Sequence, residues 1–321
     1  MILIGDWAPA YKKVSINMPM GITLANLEGP IIDEKKEFIP SKKAGPNIFN
    51  SHLPEVNSRF IFSLANNHIM DYGEKGLINT INILDKRGFM HVGAGKNELE
   101  ARKPIIIEED GNKIGIIGCC EAQFGLALRN SAGAAEFGPW IYRAIRNLRK
   151  RVHAVIVSVH AGVEDSPWPY PFIRELYHSF IDAGASVVHG HHAHIPQGYE
   201  VYGDGVIFYG LGNFAVDPCR WSKYPNGMWS LAAEIDFGSK PVHWTPLTFE
   251  IRYEPDSEGI MIEKSNSEEQ ANHDRYLEKC NRPFDNPEIF DALWHEVALR
   301  AYHHYGARYM RFCASPQEWK A

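Results

Sequence analysis

Residues 154–162 read Ala-Val-Ile-Val-Ser-Val-His-Ala-Gly, an apolar run of strand length that ends in an imidazole. Residues 186–194 read Ser-Val-Val-His-Gly-His-His-Ala-His and end in the same way in a histidine cluster. Short, nearly continuous apolar runs are typical of strands that are buried on both faces of a sheet. Between them, Phe172, Leu176 and Phe180 recur every fourth residue and predict a helix with one apolar face. A strand, a helix and a second strand indicate a βαβ unit and hence a largely parallel sheet.

Three more apolar runs, at residues 2–4, 22–25 and 60–64, precede polar or ionisable side chains nearer the N-terminus. The side chains that follow these runs are Asp6, then Asn26 and Glu28, then Asn66, Asn67, His68 and Asp71. In α/β sheets, ligands bind at the carboxyl ends of the strands. We therefore expect these side chains to converge at one sheet edge with the histidines of the two runs above.

The second half of the chain has a different pattern. Residues 103–118 predict a hairpin around an Asp-Gly turn, and residues 201–211 predict another. Further strands are predicted at 229–237 and 242–251. The fold class is therefore α/β, with antiparallel strands that suggest a second sheet packed on the first.

The composition changes again after residue 255. Residues 256–272 are polar and acidic and predict an exposed connection, after which residues 287–305 predict an amphipathic helix. We therefore divide the chain into a domain at 1–255 and a C-terminal part at 256–321, whose helical extension packs on the domain.

Composition and charge argue against several classes of protein. The 321 residues include 33 basic and 39 acidic side chains, a balance that argues against a protein that coats nucleic acid or anionic lipid. No apolar run approaches the roughly 18 residues that a membrane span needs, and the first six residues do not form an export signal. Five cysteines, two of them adjacent at 119 and 120, predict free thiols in a reducing compartment. We therefore expect a cytoplasmic protein with no stable membrane insertion and no nucleic-acid partner.

The residue types at the strand ends indicate metal chemistry. Each cluster alone has an ordinary explanation, since an Asp after a strand often caps a helix and an Asn pair is common in loops. Five such clusters, each after a strand, are more typical of one shared site. Carboxylate, carboxamide and imidazole donors suit two divalent cations such as Mn²⁺, Fe²⁺ or Zn²⁺, with Mg²⁺ acceptable at an oxygen-rich subsite. Two such cations about 3.5–4 Å apart activate a water and stabilise a phosphoryl displacement.

Five aromatic residues lie in or beside the loops that follow the motifs, namely Trp140, Trp168, Tyr170, Trp221 and Trp229. They suit either stacking against a sugar or packing in the core, and we favour the core. The basic residues between Arg143 and Arg151 are interpreted as the solvated face of a helix in preference to a site for a polyanion.

The order of the motifs resembles that of one protein family. Gly5-Asp6, NLEGP at 26–30, ANNHxxDxG at 65–73, HxGxE at 160–164, GHHxH at 190–194 and GLGNF at 210–214 follow the order of the bacterial capsule synthesis CapA family. That family, also called the poly-gamma-glutamate synthesis family, is a branch of the calcineurin-like metallophosphoesterases. The resemblance covers about Met1 to Asp217. It implies a four-layer αββα metallophosphoesterase-like sandwich with mixed sheets and a dinuclear site at the sheet edges.

The resemblance also implies roles for individual residues. The implied metal ligands are Asp6, Glu28, Asn67, His160, His192 and His194. His68 is the implied general acid or phosphate-binding imidazole, oriented by Asp71. The residues expected to bind substrate are Asn26, Asn66, Glu164, His191 and Asn213, and Glu164 is also a candidate for holding an imidazole tautomer.

One departure from the wider superfamily bears on metal binding. Ordinary members have Asp-x-His at the first cluster, whereas this chain has Asp6-Trp7-Ala8 and lacks that imidazole. The first metal subsite is therefore expected to be weak or to fill only with substrate.

Three functions are compatible with these motifs, and we favour the first. It is a metal-dependent hydrolase of the metallophosphoesterase type. Its substrate would be a phosphorylated small molecule or polymer in surface polysaccharide or capsule biosynthesis, with His68 protonating the leaving oxygen. The second is an amide hydrolase or transferase acting on poly-gamma-glutamate. The third is a non-catalytic accessory protein that binds other capsule-assembly proteins.

Overall fold

The computed structural model describes residues 1–17, 21–32, 38–42, 46–55, 59–222, 224–239, 241–254 and 259–299. Within these residues two mixed β-sheets lie face to face, and helices cover the outer face of each sheet. One apolar layer draws on both sheets, and two others lie between a sheet and its helices. The structure therefore confirms the α/β class and the αββα layer order.

Nine of the described strands form the first sheet. In spatial order they are β2 (Lys13–Ile16), β17 (Gly259–Lys264), β16 (His243–Glu254), β15 (Trp229–Asp236), β1 (Ile2–Ala8), β3 (Thr23–Leu27), β4 (Phe60–Ser63) and β5 (Met90–Val92), with β14 (Asn213–Val216) also beside β1. β1, β3, β4 and β5 are parallel, β15 is antiparallel to β1 and to β16, and β17 is antiparallel to β16 but parallel to β2. The carboxyl ends of β1, β3 and β4 therefore meet at one edge.

Six of the described strands form the second sheet. In spatial order they are β12 (Tyr199–Tyr202), β13 (Gly205–Phe208), β11 (Val187–His191), β10 (Ala154–His160), β8 (Asn112–Cys120) and β7 (Ile105–Glu109). β8, β10, β11 and β13 are parallel, and the predicted hairpins are confirmed as the antiparallel pairs β7–β8 and β12–β13. A separate short pair consists of β6 (Ala94–Gly95) and β9 (Gly133–Ala134).

Alternating side chains along the central strands build the apolar layers. In β1, Ile2 and Ile4 pack in the outer layer, whereas Leu3 packs between the sheets. In β10, Val157 packs in the outer layer and Ile156 between the sheets. Burying a side chain of this size stabilises the fold by about 1.5–3 kcal/mol. Strands buried on both faces explain the continuous apolar runs in the sequence.

The helices lie on the outer faces of the sheets or after the last strand. They are α1 (Gly73–Lys86), α2 (Glu98–Ala101), α3 (Trp140–Arg149), α4 (Pro171–Asp182), α5 (Pro218–Trp221) and α6 (Ser267–Asn281), followed by a 3₁₀ turn (Arg282–Asp285) and a helix at 287–299. The predicted apolar face of α4 is confirmed at Phe180, which is buried, but wrong in the first half of the helix, where Ile173 is buried and Phe172 is 55% exposed. Two adjacent rows of α4 are apolar, so spacing alone does not identify the buried one. None of the helices in the described part of the chain has the length and apolar character needed to span a bilayer.

The aromatic residues beside the motifs belong mainly to the core. Trp140, Trp221 and Trp229 are buried. Trp168 and Tyr170 are half-buried and pack against the outer layer of the second sheet. Core packing, the favoured interpretation, therefore accounts for all five.

The predicted polar connection at 256–272 is wrong from residue 259 onward. β17 lies in the first sheet between β16 and β2, so a boundary at 255 falls inside a paired hairpin. α6 begins behind a capping box in which Asn266 and Glu269 satisfy each other's backbone amides. The polar residues from Asn266 on therefore form the capped start of α6. Residues 255–258 and those from 300 on, including the predicted helix end at 305, lie outside the described residues.

Candidate metal centre

The ends of three strands bring together Asp6, Glu28 and His194, which we call the first cluster. Asp6 lies in β1, Glu28 directly follows β3, and His194 follows β11. His194 Nδ1 lies 3.2 Å from Asp6 Oδ2, and His194 Nε2 lies 3.4 Å from Glu28 Oε1. One ligand atom from each residue lies within 4.8 Å of the others. This spacing suits a single shared cation.

Asn67, His160 and His192 form a second cluster beside the first. His160 Nε2 lies 3.0 Å from both Asn67 Oδ1 and His192 Nδ1. Asn26 connects the clusters, because its Nδ2 donates to Asp6 Oδ1 at 2.8 Å and lies 3.3 Å from His160 Nδ1. The six side chains expected to bind metal therefore lie in two adjacent groups of three.

The backbone is strained at two of these positions. His192 and His194 have φ angles of 92° and 58°, in the left-handed region that residues other than glycine seldom adopt. Strain of this kind costs about 1–3 kcal/mol per residue and is concentrated at functional sites. It turns both imidazoles into the centre immediately after β11 ends.

Several buried polar atoms of the centre have no hydrogen bond among the described residues. They are Asp6 Oδ2, both Glu28 carboxylate oxygens and both ring nitrogens of His191. A buried carboxylate in this state is costly because it has lost water without gaining a donor. A divalent cation would satisfy carboxylate and imidazole atoms together. The donor set therefore fits metal ions better than a purely hydrogen-bonded core.

Burial and mutual charge shift the pKa values of the first cluster. Burial raises the pKa of Glu28 to about 8, against the opposing charge of His194. Burial disfavours the charged form of His194, but Glu28 and Asp6 outweigh it and raise the pKa of His194 to about 9. Burial also works against ionised Asp6, yet close contacts with His191 and His194 hold the pKa of Asp6 well below its usual value. Glu28 and His194 therefore both tend to be protonated at pH 7 when no cation is bound.

The second cluster behaves differently. Burial lowers the pKa of His192 to about 4. Burial and the neighbouring His192 hold the pKa of His160 well below its usual value. Both imidazoles are therefore neutral at pH 7, which is the form that binds metal.

His68 and Asp71 form a buried pair next to the two clusters. His68 Nδ1 lies 2.6 Å from Asp71 Oδ2, and His68 Nε2 lies 3.8 Å from Glu28 Oε1. Lys42 Nζ lies 2.7 Å from Asp71 Oδ1, and the Ile48 amide donates to Asp71 Oδ2 at 2.7 Å. Burial lowers the pKa of His68, against the influence of Asp71. This arrangement fixes the ring and presents its Nε2 to the centre.

Three asparagines expected near the substrate lie behind the ligands instead. Asn66 Nδ2 donates to Asn26 Oδ1 at 3.1 Å and to the Leu27 carbonyl at 2.8 Å. Asn213 Oδ1 lies 3.1 Å from His194 Nδ1, and Asn213 Nδ2 donates to the Gly227 carbonyl at 2.9 Å. All three asparagines are fully buried, and their amides hold ligands in place. Their burial does not match a position that lines the substrate pocket.

His191 and Glu164 also differ from the expected arrangement. His191 is buried, with Nδ1 3.2 Å from Asp6 Oδ1. An imidazole therefore lies beside Asp6 although Asp-x-His is absent, because β11 supplies it from the other sheet. Glu164 is exposed at the rim, where its charge reaches His192 without a direct contact.

Two residues of the site had no distinguishing signal in the sequence. Lys42 lies in a charged loop, and Gln123 Nε2 lies 3.2 Å from His192 Nε2. Neither belongs to a motif. Trp221, which the sequence marked only as an aromatic beside the motifs, ends α5 with its ring centroid 4.0 Å from that of His194.

The fold and the site together form an αββα sandwich in which carboxylate, carboxamide and imidazole side chains gather at the strand ends. Residues 6–218 match the family described as bacterial capsule synthesis protein PGA_cap. The chain belongs to this family, which confirms the resemblance seen in the motifs.

Named relatives agree with this assignment. The chain is 31% identical over 212 residues to "Capsule biosynthesis protein CapA" of Bacillus anthracis, covering 62% of this chain and 51% of that protein. It is 35% identical over 167 residues to "PGA biosynthesis protein CapA" of Bacillus subtilis (strain 168), covering 51% of this chain and 44% of that protein. The chain thus spans about half the length of the curated relatives it matches.

Similarity to solved structures is more remote. A hypothetical protein from Thermus thermophilus aligns over 78% of this chain and 98% of its own, at 16% identity and a TM-score of 0.44. A phosphatase from Mycoplasma pneumoniae aligns over 84% of this chain and 95% of its own, at 13% identity and a TM-score of 0.39. A likeness at this level says nothing about activity.

Proposed function

We propose that this protein is a metal-dependent phosphoester hydrolase that acts in the synthesis or processing of a surface polymer. The observation that carries the proposal is the meeting of two three-residue donor clusters with the His68–Asp71 pair at one edge of both sheets. Carboxylate oxygens left without hydrogen bonds, neutral imidazoles and a positioned imidazole for proton transfer are the parts that such a reaction needs.

The residues present would hold two cations. Asp6, Glu28 and His194, with His191 beside them, would hold one, and Asn67, His160 and His192 would hold the other. Mn²⁺, Fe²⁺ and Zn²⁺ suit this mixture of carboxylate and imidazole, and Mg²⁺ is a weaker candidate because imidazole is a poor ligand for it. When bound, such cations activate a water and stabilise the charge that develops on the phosphoryl oxygens.

The chain itself supplies proton transfer and orientation. His68 Nε2 faces the centre and donates a proton to the leaving oxygen when the ring is in its imidazolium form, which burial disfavours and the Asp71 carboxylate favours. Asp71 holds Nδ1 and thereby sets the tautomer, while Lys42 balances the charge of Asp71. The asparagines behind the ligands keep the two clusters in register.

The biological context follows from the names of the relatives. Two of them are named for capsule or PGA biosynthesis, so a phosphorylated precursor or polymer is the proposed substrate. Capsule-assembly proteins are the proposed partners. Cys119, Cys120, Cys219 and Cys280 are unpaired, which favours a reducing compartment such as the cytoplasm.

A second candidate function uses the same centre but acts on an amide bond in place of a phosphoester. The name of the Bacillus subtilis relative mentions PGA, which favours an amide hydrolase or transferase acting on poly-gamma-glutamate. A non-catalytic role is the third candidate, because a Mycobacterium tuberculosis relative is named "Probable polyglutamine synthesis accessory protein". Activity on phosphoester and amide substrates separates all three.

The test compares metal content and activity in wild type and His192→Ala. We expect the wild type to bind up to two equivalents of Mn²⁺ and to hydrolyse at least one member of a phosphoester panel. His192→Ala should lose about one equivalent and reduce turnover by more than tenfold. His243→Ala is the matched control, since His243 is exposed on β16. Unchanged metal and activity in His192→Ala would contradict the proposal.

A further inference from the structure

A small pocket adjoins the metal centre beside the first cluster. Its volume is about 180 Å³, and Tyr11, Phe49 and Trp221 line it together with Arg220 and Asp217. It shares a wall with the centre, because the Trp221 ring packs directly against His194. A group in this pocket would therefore lie about one aromatic ring away from a ligand of the first cluster.

Arg220 is the unusual residue of this pocket. Its guanidinium lies over the Trp221 ring, 5.0 Å from the centroid, and is half-buried. Arg102, Arg174 and Arg252 each pair with a carboxylate, whereas Arg220 has no ion pair among the described residues. The nearby Asp217 instead accepts a hydrogen bond from the Cys219 amide. A guanidinium held in a pocket without an anion has free donors for a ligand.

The positive charge of Arg220 acts on two residues of the centre. Burial dominates the pKa values of Glu28 and His68, and the positive charge of Arg220 also acts on both. A cation in this position attracts an anionic substrate towards a centre that itself contains two carboxylates.

We propose that this pocket binds a second anionic group of the substrate, carried on a short apolar body, through the Arg220 guanidinium. The inference rests on the proposed function, because that group lies beside the phosphoester that reacts. The planar guanidinium matches either a carboxylate or a phosphate in a bidentate pair. The three aromatic walls bury the apolar body, and the small volume excludes a bulky group. The preferred substrate is therefore a phosphoester with a nearby carboxylate or second phosphate.

The test uses three phosphonates that resist hydrolysis and differ in one group. Benzylphosphonate has no second anion, 4-(phosphonomethyl)benzoate adds a carboxylate, and p-xylylenediphosphonate adds a second phosphonate. Dissociation constants are measured by calorimetry on the Mn²⁺-loaded full chain. The variants are Arg220→Met, Arg220→Lys and the control Arg146→Met, whose arginine is exposed on α3. Melting temperatures establish that each variant is folded.

We expect at least one second anion to tighten binding about tenfold or more in the wild type and in Arg146→Met. Arg220→Met should remove that gain in affinity. Arg220→Lys should keep only part of the gain, because an ammonium cannot donate two parallel hydrogen bonds as a guanidinium does. Which of the two anions gains more identifies the natural group. Equal binding of all three probes in the wild type, or a gain that survives in Arg220→Met, would overturn the proposal and leave the hydrolase intact.

A metal-free arm separates the pocket from the proposed function. Here 4-methylbenzoate and inorganic phosphate are tested on the metal-free protein by ligand-detected NMR. Arg220-dependent binding of either anion, with no phosphonate binding in Mn²⁺, would support the pocket and contradict the hydrolase. Absence of binding in both arms would overturn the pocket as well.

Discussion

The two donor clusters lie side by side but differ in chemistry. The first has two carboxylates and an imidazole, with pKa values of about 8 for Glu28 and about 9 for His194. The second has a carboxamide and two imidazoles, and the pKa of His192 is about 4. The first cluster must release protons to accept a cation, whereas the second binds one with ligands that are already neutral. Cation binding is therefore expected to depend on pH at the first cluster and not at the second, although both clusters are buried.

The largest expected effect comes from Asp6→Asn. Asp6 contacts Asn26, His191 and His194, so the substitution removes a charge and disturbs three neighbours. We expect loss of the cation at the first cluster and a fall in turnover of more than about 100-fold, beyond the range for supporting residues. Elemental analysis and a phosphoester assay measure this, with Asp204→Asn on the surface as the control. Retention of both cations would show that Asp6 is not a ligand.

Asp71→Asn should change turnover without changing either cluster. It removes the carboxylate that orients His68 and leaves the metal ligands in place. We expect turnover to fall about 10–100-fold at unchanged metal content. The matched control is Asp85→Asn, because Asp85 makes an exposed pair with His91 at 3.2 Å. Loss of metal in Asp71→Asn would place His68 among the ligands.

Mn²⁺ titrations at different pH values test the contrast between the clusters directly. In His192→Ala, which isolates the first cluster, affinity should rise by more than tenfold and up to about a hundredfold per pH unit from pH 7 to 8, because the protons of both Glu28 and His194 are displaced. In Asp6→Asn, which isolates the second, affinity should stay constant over the same range because the imidazoles are already neutral. Calorimetry with proton-release measurement distinguishes the two. The same pH dependence of Mn²⁺ affinity in both variants would contradict the proposed difference between the two clusters.

The smallest expected effect is on the stability of the metal-free protein. The pKa of Glu28 rises from 4.5 to about 8 and that of His194 from 6.5 to about 9 on folding. Glu28 therefore disfavours the folded state increasingly as pH rises from 4.5 to 8, and the stabilising charge of His194 is lost as pH rises through 9. Both trends lower the melting temperature between pH 6 and 9. Glu28→Gln should reduce that decline by at least about 2 °C, measured by calorimetry in chelator. If the melting temperature fell equally with pH in Glu28→Gln and in the wild type, Glu28 would not be the cause of the decline.

The sequence predicted the convergence of the donor side chains where a strand and its polar end are contiguous. Glu28, His160 and His194 were identified because each follows an apolar run, and parallel strands in one sheet bring their carboxyl ends together. Composition was misleading at 256–272, because the polar residues around them hide the apolar Ile260 and Ile262 of β17 and, from Asn266 on, form the capped start of α6. The buried face of α4 was only partly identified, because two of its rows are apolar.

By itself the sequence determined the strands, the helices and the donor types, since apolar runs, helical spacing and residue chemistry are local properties of the chain. Only the tertiary structure decided that Asn26, Asn66 and Asn213 support the ligands, and that His191 stands beside Asp6. It also placed Lys42 at the His68–Asp71 pair and Arg220 in its pocket. These assignments depend on which loops meet above two facing sheets, and that packing depends on contacts between residues far apart in the chain.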